Sequence, residues 1–209
     1  DLKKIKKLIK FSKNTNRTVA CLIEKNTLTE VKIKKKKTNS FNIERYEFIE
    51  KFISLIGKKS KIISTTGFTS RELFHIRKLK KEVKKGKDFY MVGGMGHAGI
   101  IAASISKFFN GTTYCFDGDG SFLMHLGSIF TSANISSKNF KYILLNNQVH
   151  ESVGSQKTYI EKLDIKKLSN SFKFKNYFLI KNKNEMKNKI NSFIKSKGPC
   201  FLEVKIKNK

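Results

Sequence analysis

TTYCFDGDGS (residues 112–121) and KYILLNNQVH (residues 141–150) are the two stretches that decide the fold. Each opens on an apolar run rich in aromatic and branched side chains and stops abruptly at glycine, aspartate or asparagine, the pattern of a strand running into a loop. Between them, residues 120–134 carry a helical pattern. A strand, a helix and a second strand of these lengths imply a right-handed crossover and parallel pairing. The alternation continues outward in both directions. Upstream, Ile49, Phe52, Ile53 and Ile56 repeat at helical spacing before Gly57. A strand (61–64), the loop Thr65-Thr66-Gly67, a helix (about 69–83), a strand near 89–92, a glycine loop and a helix (97–109) follow. Downstream come a helix (161–169), a strand (176–180), a helix (184–196) and a strand (200–206). Residues 43–209 are therefore expected to form one α/β domain, a parallel sheet of about six strands with helices on both faces.

Composition sets the outer limits. With 209 residues, 39% of them hydrophobic and a single proline, the chain has material for one α/β domain plus a remnant, and is too apolar for a disordered tail. Residues 89–106 hold no Asp, Glu, Lys or Arg, the length of a minimal membrane span. Gly93, Gly94, Gly96 and Gly99 interrupt that run, so a strand, a loop and a buried helix explain it better, and no membrane partner is expected. Cys21, Cys115 and Cys200 sit singly in strand-like runs without any C-x-x-C, which suggests three buried thiols in a reducing cytoplasm. Lys and Arg total 44 against 16 Asp and Glu, for a net charge of +28. Only Arg17, Arg45, Arg71 and Arg77 are arginines, the residue that bidentate base recognition favours. The scattered lysines read as compositional bias on solvated faces, and no specific nucleic-acid partner is expected. A basic nucleic-acid-binding domain is the alternative that charge alone supports.

The N-terminal stretch is organised differently. Leu2, Ile5, Leu8 and Ile9 form one stripe of an amphipathic helix, and residues 18–24 (TVACLIE) read as a strand, with an extended piece to Ile33. Residues 34–42, opening on four consecutive lysines, are the linker. Residues 1–33 are too short for a domain and read as the closing helix and strand of a preceding one.

In open parallel sheets ligands bind beyond the carboxyl ends of the strands. Here those ends carry Thr65-Thr66-Gly67, Gly93-Gly94-Met95-Gly96-His97, Asp117-Gly118-Asp119-Gly120-Ser121 and Asn146-Asn147. Should the strands ending near Phe116 and Leu145 be neighbours, their tips lie about 5 Å apart. Asp119 and Asn147 could then face one point. A carboxylate and an amide oxygen form a sparse, hard-oxygen set suited to Mg²⁺ that completes its shell with phosphate and water. Gly118 and Gly120 let backbone come close, and Gly120-Ser121 opens a helix whose N–H groups favour an anion. Either motif alone could be an ordinary βα turn; together, at strand ends, they read as a site for Mg²⁺ bridged to a diphosphate.

These motifs make the chain resemble the thiamine-diphosphate enzymes, whose signature is Gly-Asp-Gly followed at a similar interval by Asn-Asn. Residues 61–158 in particular resemble the phosphonopyruvate decarboxylases, through Ile63-Ser64-Thr65-Thr66-Gly67, Val92-Gly93-Gly94-Met95-Gly96-His97-Ala98, Met124-His125-Leu126-Gly127 and His150-Glu151-Ser152-Val153-Gly154. The sulfopyruvate decarboxylases share many of these elements. The resemblance implies Mg²⁺ held by Asp119, Asn147 and the carbonyl of Val149. It implies thiamine diphosphate with Met95 propping its bent shape, the Gly93 carbonyl accepting from its amino group, and Thr66, Gly67 and Ser121 near the diphosphate. It further implies decarboxylation of a 2-oxo acid, phosphonopyruvate, within phosphonate biosynthesis. His97 and His150 are the candidates for proton transfer or for contact with the substrate anion, or else they hydrogen-bond a loop; His125 is expected to pack, and His75 has no role. Arg71 and Lys157 are conceivable partners for the anion, with Arg71 equally able to pair with Glu72. Ser155 and Lys157 depart from the family, where glycine and proline are expected. The activating glutamate belongs to a pyrimidine-binding domain that precedes this one, which implies a homo-oligomer (dimer or tetramer) or a complex with a pyrimidine-binding chain.

Overall fold

The computed structural model describes residues 2–29, 39–83 and 88–208. It divides into two compact units, residues 1–36 and 37–209. In the first, helix α1 (Leu2–Thr15) has no buried residue. The expected strand at 18–24 does not form: residues 16–29 contain no strand, Leu22 is 97% exposed, and Cys21 is exposed rather than buried. An apolar run becomes a strand only when a neighbouring strand takes its backbone N–H and C=O groups, and none of the described residues of this unit does so. Of the expected linker at 34–42, residues 34–38 lie outside the described residues.

The second unit is built on the strands β1 (Ser60–Ser64), β2 (Asp88–Tyr90), β3 (Thr112–Gly118), β4 (Phe140–Asn146), β5 (Val149–His150), β6 (Gln156–Lys157), β7 (Asn176–Ile180) and β8 (Cys200–Lys205). Six of them form one all-parallel sheet in the order β2-β1-β3-β4-β8-β7. The other two, β5 and β6, pair as a small antiparallel hairpin that follows β4. The helices are α2 (Arg45–Leu55), α3 (Phe68–Leu79), α4 (Ala98–Phe108), α5 (Asp119–Met124), α6 (Leu126–Ile135), α7 (Ile165–Ser171) and α8 (Lys183–Lys195).

Strand residues alternate between two apolar layers because successive side chains point to opposite faces. Tyr114, Phe116, Ile143 and Leu145 join Phe48 and Phe52 of α2, Leu73 of α3 and Phe193 of α8. Cys115, Tyr142 and Leu144 join Ala98, Ala102 and Ala103 of α4, Phe122 of α5 and Ile129 of α6 on the other face. Phe52 meets Tyr114 and Phe116 edge-on, with centroids 5.0 and 5.3 Å away. Both faces of β3 and β4 are thus covered, which explains their near-continuous apolar sequence.

Two helices differ from expectation. The helix expected at 120–134 breaks at His125 into α5 and α6. His125 leaves helical geometry at the break (φ −130°, ψ 47°), and its ring packs so close to Gly96 that a Cβ on Gly96 would fall 2.3 Å from it. The helix expected from 161 begins instead at Ile165, after a separate 3-10 turn at Ile160–Lys162. Among the described residues no helix is long and apolar enough to cross a membrane.

Candidate active site

Strands β3 and β4 pair in register, with Gly118 opposite Leu145. Asp119 and Asn147 therefore leave the sheet at adjacent tips. They open into one cleft, bordered also by Thr65 and Thr66 after β1, Met95 of the glycine loop, and His150 and Glu151 of the hairpin region. The loop after β1 is tied to β3 by the Thr65 N–H donating to the Phe116 carbonyl at 2.8 Å.

Asp119 is buried, and its Oδ2 accepts a 2.7 Å hydrogen bond from Thr158 Oγ1. Burial pushes its carboxyl up to about 6, partly offset by Thr158 and by backbone N–H groups including those of Gly120 and Gln148. Asn147 is also buried. Its Oδ1 accepts from the Val149 N–H at 3.2 Å, and its Nδ2 donates to Glu151 Oε2 at 3.3 Å. Asn39 Nδ2 donates to the Asn147 carbonyl at 2.7 Å, fastening that tip to the chain ahead of α2.

Next to the pair lies a buried carboxylate, Asp117, which accepts from Tyr142 OH at 2.6 Å and from the Gly118 N–H at 3.0 Å. Burial raises its proton affinity, while bonds from Ser121, Tyr142 and Thr65 oppose this. Ser121 Oγ accepts from Thr65 Oγ1 and from the Gly96 N–H, both at 2.9 Å. The hydroxyl of Ser121 therefore knits the loops after β1, β2 and β3 together.

Of the residues singled out from sequence, Thr66, Met95, Gly118, Asp119, Gly120, Ser121, Asn147, Val149 and His150 border this cleft. Gly67, at φ +90°, lies between two bordering residues without lining it. Gly93 and His97 are exposed and outside the lining. The His97 ring stands 4.4 Å from that of His125, and its Nδ1 is 3.2 Å from the Met95 carbonyl. Arg71 is exposed, its guanidinium 5.6 Å from the Phe68 ring, and Glu72 pairs with Arg45 rather than with it. Lys157 is exposed on β6. Helix α5 has six residues, too short for much of a macrodipole, so an anion there would rely on individual N–H groups.

Thr65, Asp117 and Glu151 stood inside the loop motifs read from sequence but were given no role there. Thr158, Asn39 and Arg45 also belong to the site or its frame and were not identified, being brought in by contacts remote in sequence.

Gly120 has a specific steric reason. A Cβ at this position would sit 2.4 Å from His150 Nδ1 and 3.4 Å from Met95 Cε. Gly120→Ala is expected to displace His150 and weaken thiamine diphosphate binding about 10-fold, equivalent to ~1.4 kcal/mol. Calorimetric titration with Mg²⁺ present checks it.

Comparison with known proteins gives the family. Residues 64–204 match the family model described as thiamine pyrophosphate enzyme, C-terminal TPP binding domain. The chain is 33% identical over 119 residues to a sulfopyruvate decarboxylase subunit beta of Methanocaldococcus jannaschii, covering 57% of this chain and 60% of that one. It is 34% identical over 121 residues to a phosphonopyruvate decarboxylase of Streptomyces hygroscopicus, covering 58% of this chain but only 29% of the relative. A solved structure from Mycobacterium smegmatis, described as a thiamin diphosphate-dependent enzyme, superposes with a TM-score of 0.64 at 17% identity. The superposition covers 80% of this chain and 32% of that one, and speaks to fold alone. With two thirds of its length inside the family model, the chain belongs to the thiamine pyrophosphate enzymes, as their C-terminal TPP-binding domain.

Proposed function

We propose that this chain holds Mg²⁺ and the diphosphate of thiamine diphosphate in a non-oxidative decarboxylase that converts phosphonopyruvate to phosphonoacetaldehyde and CO₂. The observation that carries this reading is the convergence of buried Asp119 and Asn147 on one cleft at neighbouring strand tips. The residues fit the cofactor on chemical grounds. Among the described residues, the hydrogen-bond partners of Asp119 are neutral, and its raised proton affinity marks a carboxylate that a divalent cation would stabilise. Glycine at 120 is what lets the His150 imidazole lie against the backbone next to Asp119, because a Cβ there would fall 2.4 Å from its Nδ1.

Asp119, Asn147 and the Val149 carbonyl would hold the metal. Met95, whose methyl lies beside Gly120, would support the rings of the cofactor. Bound thiamine diphosphate supplies the electron sink for loss of the carboxylate. His150 borders the cleft and would deliver or hold a proton at Nδ1, beside Gly120; His97 stands outside the lining and is assigned no step.

Sulfopyruvate is the second reading, favoured by the relatives named as beta subunits from Methanocaldococcus jannaschii and, at 35% identity over 132 residues, Methanothermobacter thermautotrophicus. Those names also support a working assembly with a pyrimidine-binding chain. Supplying that chain, Mg²⁺ and thiamine diphosphate, CO₂ release is measured from phosphonopyruvate, sulfopyruvate and pyruvate. Turnover on phosphonopyruvate at least about 10-fold above the others, a difference of ~1.4 kcal/mol, is expected. Preference for sulfopyruvate would replace the substrate, and inactivity on all three would end the decarboxylase reading.

A further inference from the structure

The amide of Asn147 must present its oxygen, not its nitrogen, to a cation, and the structure contains a device that decides which. Glu151 Oε2 can only accept when ionised, so it draws Nδ2 of Asn147 toward itself at 3.3 Å. The Val149 N–H, 3.2 Å from Oδ1, agrees with the same orientation. The carboxylate of Glu151 is in turn held. Arg45 Nη1 donates to that same Oε2 at 2.7 Å, with both side chains more than nine-tenths buried. The remaining edge of the guanidinium forks onto Glu72 of α3, through Nε at 3.1 Å and Nη2 at 3.3 Å. Arg45 is thereby anchored on α3 and reaches Glu151, a residue 106 positions later in the chain. The fork also restrains Glu151 from turning to coordinate the cation itself. A lysine could supply the charge but not both contacts at once.

We infer that Glu151, clamped by Arg45, is the positioning residue that sets the amide of Asn147 with its oxygen toward the metal. This rests on the metal site proposed above and adds to it two residues that act through Asn147.

The test is a thermodynamic cycle on the 209-residue chain assembled with the pyrimidine-binding chain, with Mn²⁺ replacing Mg²⁺ and thiamine diphosphate in excess, the free-ion signal being followed by electron paramagnetic resonance. Glu151→Ala is expected to weaken Mn²⁺ binding about 10- to 100-fold, the usual effect of losing an outer-shell partner. In an Asn147→Asp background, where a carboxylate has no wrong way round, the same change is expected to cost less than about 3-fold or to strengthen binding. Equal losses in both backgrounds would mean that Glu151 only supports the fold, and no loss in the native background would remove it from the site; either overturns the inference. Should Glu151→Ala not fold, Glu151→Gln takes its place in the cycle, with a reduced loss of the same background dependence. Failure of the native chain to bind Mn²⁺, or an unchanged affinity in Asp119→Ala, overturns the metal site itself, whatever Glu151 does.

Discussion

Asp119→Asn is expected to abolish Mg²⁺-dependent thiamine diphosphate binding, a loss exceeding the roughly 100-fold that an outer-shell change produces, because it removes the charge from the cation's position. Calorimetric titration checks the affinity. The metal-free chain should respond in the opposite sense. The folded carboxyl of Asp119 titrates at about 6, above its ordinary 3.8. Between those values the folded state binds the proton that the unfolded state releases, so stability declines as pH rises from 4 to 6 and the deficit is full above 6. A displacement of that size corresponds to about 2–3 kcal/mol. In chelator, urea melts of Asp119→Asn should therefore show greater stability than the native chain above pH 6, with the difference vanishing near pH 4. A variant destabilised at every pH would show that the carboxylate is held for folding rather than for a cation.

The largest loss of stability is expected from Arg77→Met. Arg77 is buried and grips Asp88 through Nε at 2.7 Å and Nη2 at 3.1 Å, while Nη1 holds Glu82 at 2.6 Å. Tyr90 OH donates to the same Asp88 at 3.2 Å. Removing the guanidinium strands a carboxylate that is almost wholly buried, which costs about 3–5 kcal/mol. For a chain of this size that is a fall in melting temperature of roughly 10 °C. The consequence reaches the site. Asp88 opens the edge strand β2, which runs into the glycine loop bearing Met95, so cofactor affinity should fall together with stability. A variant that melts within a degree or two of the native chain would show that the buried cluster contributes little.

Why some of this was legible in the sequence and some was not follows from the range of the forces involved. Strands β3 and β4 declared themselves because both are covered on two faces and end in glycine, aspartate or asparagine, so local composition and tertiary position agree. Their adjacency was a condition of the sequence reading, and the β3–β4 pairing meets it. The break at His125 was invisible, because neither glycine nor proline occupies that position; the contact of its ring with Gly96 is remote in sequence. Residues 18–24 have strand composition without a strand partner, and composition cannot report a missing neighbour. The hairpin carrying Thr158 toward Asp119 has two-residue strands, too short for any period. Arg45 looked like one more cation on a lysine-rich chain. Its grip on Glu72 and Glu151 exists only once α2, α3 and the hairpin region are assembled.

The lining of the cleft and the exterior of the molecule carry opposite signs. Asp119, Glu151 and the neighbouring Glu72 outnumber Arg45, while the chain as a whole stands at +28. Far away, the field draws in polyanions and turns free Mg²⁺ aside; within the cleft, a few ångströms of acidic wall reverse the preference. A diphosphate entering this cleft would therefore need a divalent counter-ion to offset the acidic wall, while added salt would screen the long-range attraction that brings it near.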